Sequence, residues 1–105
     1  MKYFKGLIKC GSCGRNYNYR NEHGTGVFIC STAKNYGRSK CPNSPRINFN
    51  HLVYIIEQHC KIHNKDFALH KVKLFVRKIE VKPNLITIYY KDGTKSIQSN
   101  NEIVF

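Results

Sequence analysis

Apolar positions between residues 47 and 64 repeat with the period of an α-helix. Leu52, Ile55, Ile56, His59, Cys60 and His63 fall on one face of that helix. Ile47-Asn48-Phe49-Asn50 supplies its start, with Asn48 or Asn50 as the cap, and Asn64, Lys65 and Asp66 break the pattern. A second helix is expected from Phe67 to about Lys78, with Leu69, Val72, Val76 and Ile79 as its stripe, against the grain of its β-branched content. Strand chemistry follows. Ile79 to Lys82 reads as a short strand, Pro83-Asn84 as a turn and Leu85 to Lys91 as a strand of high β-propensity. Asp92-Gly93 suits a two-residue hairpin turn, Thr94 to Gln98 returns from it, and the last residues alternate in a way that adds an edge.

The first 46 residues carry a weaker pattern. Phe4, Leu7 and Ile8 lead in, and Arg15 to Arg20 reads as a strand with Tyr17 and Tyr19 on one side. Asn21 to Gly26 is turn chemistry, and Val27 to Cys30 is the partner strand. Residues 31–40 are polar and basic with no period, which predicts a loop. So little apolar content does not fold by itself at this size, and modules this small lean on metals or disulfides.

Four cysteines answer that need. Cys10 and Cys13 form a Cys-x-x-Cys pair, sixteen residues separate Cys13 from Cys30, and ten separate Cys30 from Cys41. Gly11 and Gly14 let the first knuckle turn tightly, so that backbone N–H groups point at the thiolates. No basic-apolar-small leader opens the chain and no apolar run nears a membrane span, so a reducing cytoplasm is expected. There such cysteines read as ligands of one structural Zn²⁺ rather than as disulfides. His23, in the hairpin turn between the ligand pairs, is a donor that could replace a cysteine, but it reads as a solvated turn-tip residue.

The chain of 105 residues carries 18 Lys and Arg against 6 Asp and Glu, a formal +12. Four thiolates on one Zn²⁺ take two units off and leave about +10. Residues 1–56 hold nine of the cations and a single acid, Glu22. That field attracts polyanions, nucleic acid first among them. Lys9, Arg15, Arg20, Lys34, Arg38, Lys40 and Arg46 lie in or beside the cysteine unit, with Tyr17, Tyr19, Phe28 and Tyr36 interspersed. Phe28 and one of the tyrosines are expected in the ribbon's small core. His59 and His63 stand at i, i+4 beside Cys60, a spacing that can hold a metal; with no acid between them, Cys60 reads as a small core residue flanked by the histidines. No nucleophile with an adjacent base and no Gly-rich phosphate cradle is present, so no catalytic residue is expected and no small-molecule substrate.

The segments Phe4-Lys5-Gly6-Leu7-Ile8-Lys9-Cys10-Gly11-Ser12-Cys13-Gly14-Arg15, Val27-Phe28-Ile29-Cys30-Ser31 and Lys40-Cys41-Pro42-Asn43, with Ile47, resemble the zinc β-ribbon domain of large serine recombinases, the integrases and transposases of phages and mobile elements. The likeness covers about residues 4–60 and extends, more weakly, to Leu69–Tyr90. It implies Cys10, Cys13, Cys30 and Cys41 as zinc ligands and binding to an attachment half-site in the DNA major groove. Two departures stand out. These residues include no resolvase-type catalytic domain, and only about Lys61 to Lys65 stands where the family inserts a long coiled coil.

The expected fold is α+β: a small zinc β-ribbon (1–47), then one or two helices and a C-terminal β-hairpin packing on them (48–105). The expected function is sequence-specific duplex DNA binding as the C-terminal zinc-ribbon part of a site-specific recombinase, without catalysis by this chain. The partners are double-stranded DNA and, in a full-length protein, other recombinase subunits, at a bacterial nucleoid and away from membranes. Arg15, Arg20, Lys34, Arg38 and Lys40 are the expected DNA contacts. The alternatives are a protein-docking zinc ribbon and a general RNA or single-strand binder.

Overall fold

The computed structural model describes residues 3–37, 40–41 and 45–99, and the backbone of Ile103–Val104. In chain order its elements are β1 (Ile8–Cys10), β2 (Tyr17–Glu22), β3 (Thr25–Cys30), α1 (Ser31–Tyr36), β4 (Ile47–Asn48), α2 (Phe49–Ile62), a 3₁₀ turn (Leu69–Lys71), α3 (Val72–Phe75), β5 (Val76–Lys82), β6 (Leu85–Tyr90), β7 (Lys95–Ser99) and β8 (Ile103–Val104). They form a three-stranded sheet, β2-β3-β4, and a five-stranded sheet, β1-β5-β6-β7-β8. The architecture is α+β, as expected.

The β2–β3 hairpin is longer and its turn tighter than the composition of Asn21 to Gly26 implies. Glu22 pairs with Thr25, leaving only His23 and Gly24 in the turn. Both have positive φ, 52° and 84°, the condition for a two-residue turn that matches strand twist. Asn21 Oδ1 accepts from the Gly24 N–H at 3.0 Å. At the other end β2 starts at Tyr17 rather than Arg15, because Arg15 O accepts from Cys10 N and Asn16 bridges to Lys9.

Residues 31–36, read as loop, form the short helix α1. A six-residue helix has no repeat to display and cannot nucleate alone. Tertiary pins hold it: Ser31 N and Oγ donate to Asn16 O at 3.0 and 2.5 Å, and Ala33 is buried.

Helix α2 starts as read, with Asn48 Oδ1 accepting from His51 N at 3.1 Å. Its inward face is Leu52, Ile55, Ile56, His59 and Cys60, while His63, expected on that face, is exposed beyond the helix end. Asn64, at φ 56°, turns the chain away.

The expected helix over Phe67–Lys78 is corrected. Only the 3₁₀ turn and the four residues of α3 are helical, and Val76 opens a strand. A β-bulge between Val76 and Lys78 puts Val76 and Ile79 on the same buried face despite their odd spacing. That spacing imitates a helical stripe. The Asp92-Gly93 turn also differs. Tyr90 N donates to Thr94 O and Gly93 N to Tyr90 O, with Gly93 at φ 90°. Lys91, Asp92 and Gly93 thus make a three-residue loop with a left-handed glycine. Asp92 Oδ1 tightens it by accepting from Thr94 N and Oγ1.

Strand β1 runs parallel to β5, pairing Ile8 with Ile79 and Cys10 with Val81. The strand that delivers the first cysteine is therefore the edge of a sheet made by residues some seventy positions later. One buried cluster joins Phe4, Ile8 and Phe28 to Leu52, Ile55, Ile56, Ile79, Val81 and Ile88. Each fully buried side chain of this size stabilises by about 1.5–3 kcal/mol, so most of the cohesion around the cysteines comes from later parts of the chain.

Candidate metal centre and basic face

Cys10 closes β1, and the chain folds back at once: Gly14 N donates to Cys10 O at 2.8 Å, with Gly14 at φ 78°. Gly11 serves a different need. Its N–H donates to Val81 O at 2.6 Å, and a Cβ there would lie 2.9 Å from that oxygen and 2.9 Å from Lys82 Cγ. The first knuckle is seated directly on β5, and only a glycine lets it approach. Cys30 ends β3, and Cys41 is buried beyond α1.

The four Sγ atoms lie within 4.8 Å of one another. Cys10 and Cys41 are 3.7 Å apart and Cys13 and Cys30 are 3.4 Å apart, too far for a disulfide. A tetrahedral site with Zn–S near 2.3 Å has sulfur–sulfur edges of about 3.8 Å. The donor set, its closeness and its all-sulfur chemistry fit one zinc ion. Four thiolates fill the coordination sphere, so the site suits a structural metal rather than a catalytic one. Among the described residues it is the one such grouping of three or more metal-binding side chains.

The surroundings favour thiolate at the exposed corner. Desolvation pushes the Cys13 thiol up, but hydrogen bonds from the Thr32 hydroxyl and the Arg15 amide, with the neighbouring sulfurs, outweigh it and bring it down to about 6. Thr32 Oγ1 sits 3.4 Å from Cys13 Sγ. At Cys10 burial wins and the thiol is raised. Burial, then the four surrounding sulfurs, also raise the Tyr17 hydroxyl, which donates to Pro45 O at 2.8 Å. Thr32 and Tyr17 as supports of the sulfur cluster had no signature in the sequence, because their partners are brought to them by α1 and by the segment before β4.

The aromatic residues divide cleanly. Phe28 and Tyr17 are buried, and Tyr19 is half-buried, its ring 5.8 Å from Phe28 and 6.0 Å from Phe49, edge-on to both. Tyr36 is 60% exposed. Cys60 is buried, with its thiol raised by burial. His59 is stacked flat on Tyr90 at 3.7 Å, with Nε2 3.0 Å from Thr94 Oγ1 and Nδ1 3.3 Å from Ser96 Oγ. It is a core histidine whose ring nitrogens face hydroxyls.

The cations expected at DNA lie in different settings. Arg15, Arg20, Lys34 and Lys40 are exposed; Arg38 lies outside the described residues. The Arg15 guanidinium stands 5.8 Å from the Tyr36 ring centre, which brings the first knuckle and α1 together. Arg20 is on the hairpin, with Nε 3.6 Å from Glu22. Glu22 makes its stronger contact with Arg46, bidentate at 2.5 and 2.8 Å.

A β-ribbon carrying a tetrathiolate cluster, sealed by a third strand and a capped helix, defines the zinc-ribbon class. Residues 3–61 match the model of the recombinase zinc beta ribbon domain, and the chain belongs to that family. No curated protein and no solved structure matches it. The family places this chain among recombinase-related proteins, of which the zinc ribbon is a non-catalytic part. No helix among the described residues is long and apolar enough to cross a membrane.

Proposed function

We propose that this chain binds double-stranded DNA as the zinc-ribbon part of a site-specific serine recombinase, recognising one half of an attachment site. The observation that carries the reading is the family membership of a ribbon whose first 56 residues hold nine cations and one acid. Cys10, Cys13, Cys30 and Cys41 would hold the zinc, whose contribution is to fix the knuckle, α1 and the hairpin in one geometry. Arg15, which stands against the Tyr36 ring, and the exposed Lys34 of α1 then serve as phosphate contacts, with Arg38 and Lys40 later in the sequence as further ones. Arg20 remains available because Arg46 already satisfies Glu22 in a fork geometry. Chemistry would reside in a separate catalytic domain, other recombinase subunits would be the protein partners, and the working place would be the bacterial nucleoid.

The test is fluorescence anisotropy of labelled duplexes over a salt series. Binding should weaken with a log–log slope of about −0.9 per phosphate neutralised, and Arg15→Ala with Lys34→Ala should flatten it. A protein-docking ribbon would show no such slope. Preference for single strands, lost in Tyr36→Ala, would indicate stacking instead.

A further inference from the structure

The five-stranded sheet turns one face to the core and the other away, and the second face carries charge in an unusual arrangement. Lys78 pairs with Tyr89, and Tyr89 pairs with Lys95, so the three form one cross-strand row. Directly opposed residues share a face. In a regular strand Arg77 would point the other way from Lys78. The bulge between Val76 and Lys78 removes that alternation. As a result the Arg77 guanidinium lies 5.4 Å and the Lys78 ammonium 5.2 Å from the Tyr89 ring centre. Both are within cation–π range.

Two cations thus stand at one ring, and a third, Lys95, is its cross-strand neighbour on β7. Among the described residues, neither Arg77 nor Lys95 has an acidic partner at ion-pair distance. Among the described residues Lys78 has Glu80 as its ion-pair partner, at 4.0 Å, and shares it with Lys82 at 3.5 Å. Like charges crowded in this way repel one another, and an arriving anion relieves the repulsion. The ring faces its cations, whereas a base-stacking platform leaves its ring open. An anion bound by charge is therefore favoured over a stacked base. Lys78 and Lys95 sit two strands apart, about 10 Å, so a polyanion with repeated charges suits the row better than a single small ion.

We infer that Arg77, Lys78 and Lys95, organised by Tyr89, form a second contact for the DNA phosphate backbone, separate from the residues of the zinc ribbon. This rests on the duplex-binding reading above and extends it. The clamp positions the chain on the duplex and carries no sequence information. The parallel β1–β5 pairing and the seat of Gly11 on Val81 link it to the zinc knuckle.

The experiment compares the wild type with Arg77→Gln/Lys95→Gln, Tyr89→Ala, Tyr89→Phe and Arg15→Ala, on two duplexes of unrelated sequence over a salt series. Arg77 and Lys95 are exposed, so the double variant should keep its melting temperature. Its salt slope should shrink by about 2, with the same fold loss of affinity on both duplexes. Tyr89→Phe should bind like the wild type, and Tyr89→Ala should weaken binding on both duplexes. An unchanged slope in the double variant, with a reduced slope in Arg15→Ala, overturns the clamp and leaves the ribbon's function standing. Equal losses in Tyr89→Phe and Tyr89→Ala overturn the role of the ring. Loss of binding to a polyglutamate probe with the duplex slope intact assigns the face to an acidic protein and overturns the proposal. Failure of the wild type to bind any duplex overturns both readings.

Discussion

Replacing Gly11 by Ala probes the joint between the cysteine cluster and the rest of the molecule. The added Cβ would stand 2.9 Å from Val81 O, a backbone atom that cannot rotate away, and 2.9 Å from Lys82 Cγ. Relief requires moving the knuckle off β5, which stretches the 2.6 Å bond from Gly11 N to Val81 O. Overpacking of this kind costs about 1–3 kcal/mol, and a lost hydrogen bond adds about 0.5–1.5 kcal/mol. A combined loss near 3 kcal/mol lowers the melting temperature by roughly 12–24 °C for a domain of this size. Gly14→Ala is the matched control. It has nothing within 4 Å of its added Cβ and suffers only the left-handed backbone at φ 78°, worth about 1–2 kcal/mol. Thermal melts followed by circular dichroism, at one fixed excess of zinc so that metal binding contributes equally, should rank Gly11→Ala well below Gly14→Ala. Equal melting temperatures, or the reverse order, would refute the docking of the knuckle on β5.

Three further outcomes follow from the same geometry. Cys30→Ser should lose zinc and the amide dispersion of the hairpin, whereas Cys60→Ala should keep one zinc per chain; a fall in stoichiometry in the latter would assign Cys60 a metal. Burial raises the Tyr90 hydroxyl, with the Ser96 hydrogen bond opposing. A folded-state value above the unfolded one, about 10, gives stability that is complete below pH 10 and lost as pH climbs beyond it. Tyr90→Phe should therefore lose less stability than the wild type between neutral and strongly alkaline pH in urea titrations; parallel declines would contradict the assignment. Asn48→Ala should cost about 1 kcal/mol by removing the cap of α2, and an unchanged urea midpoint would show that His51 N finds another acceptor.

Much of this fold is written in short-range pattern. The ligand spacing, the β2–β3 and β6–β7 hairpins and the buried face of α2 are all read from residues within a few positions of one another. What escapes is set by distant partners. The β1–β5 pairing joins residues about seventy apart, and no local signal announces it. Helix α1 exists because Asn16 and Ala33 find their neighbours, not through its own repeat. The stripe Val72, Val76 and Ile79 misleads because one bulge shifts the strand's phase and reproduces a helical spacing. The same bulge brings Arg77 beside Lys78 over Tyr89, so the shift that hides the start of β5 also assembles the cationic row. The cysteine set was legible by spacing, while its supports, Thr32 and Tyr17, depend on where α1 and Pro45 come to rest.

Metal content measured together with fold tests the centre of this account most directly. Reduced, purified protein should carry one zinc per chain, and removing it with a chelator should collapse the amide dispersion of β2, β3 and α1 and abolish duplex binding. Metal-free protein that retained its dispersion and its affinity for DNA would contradict it.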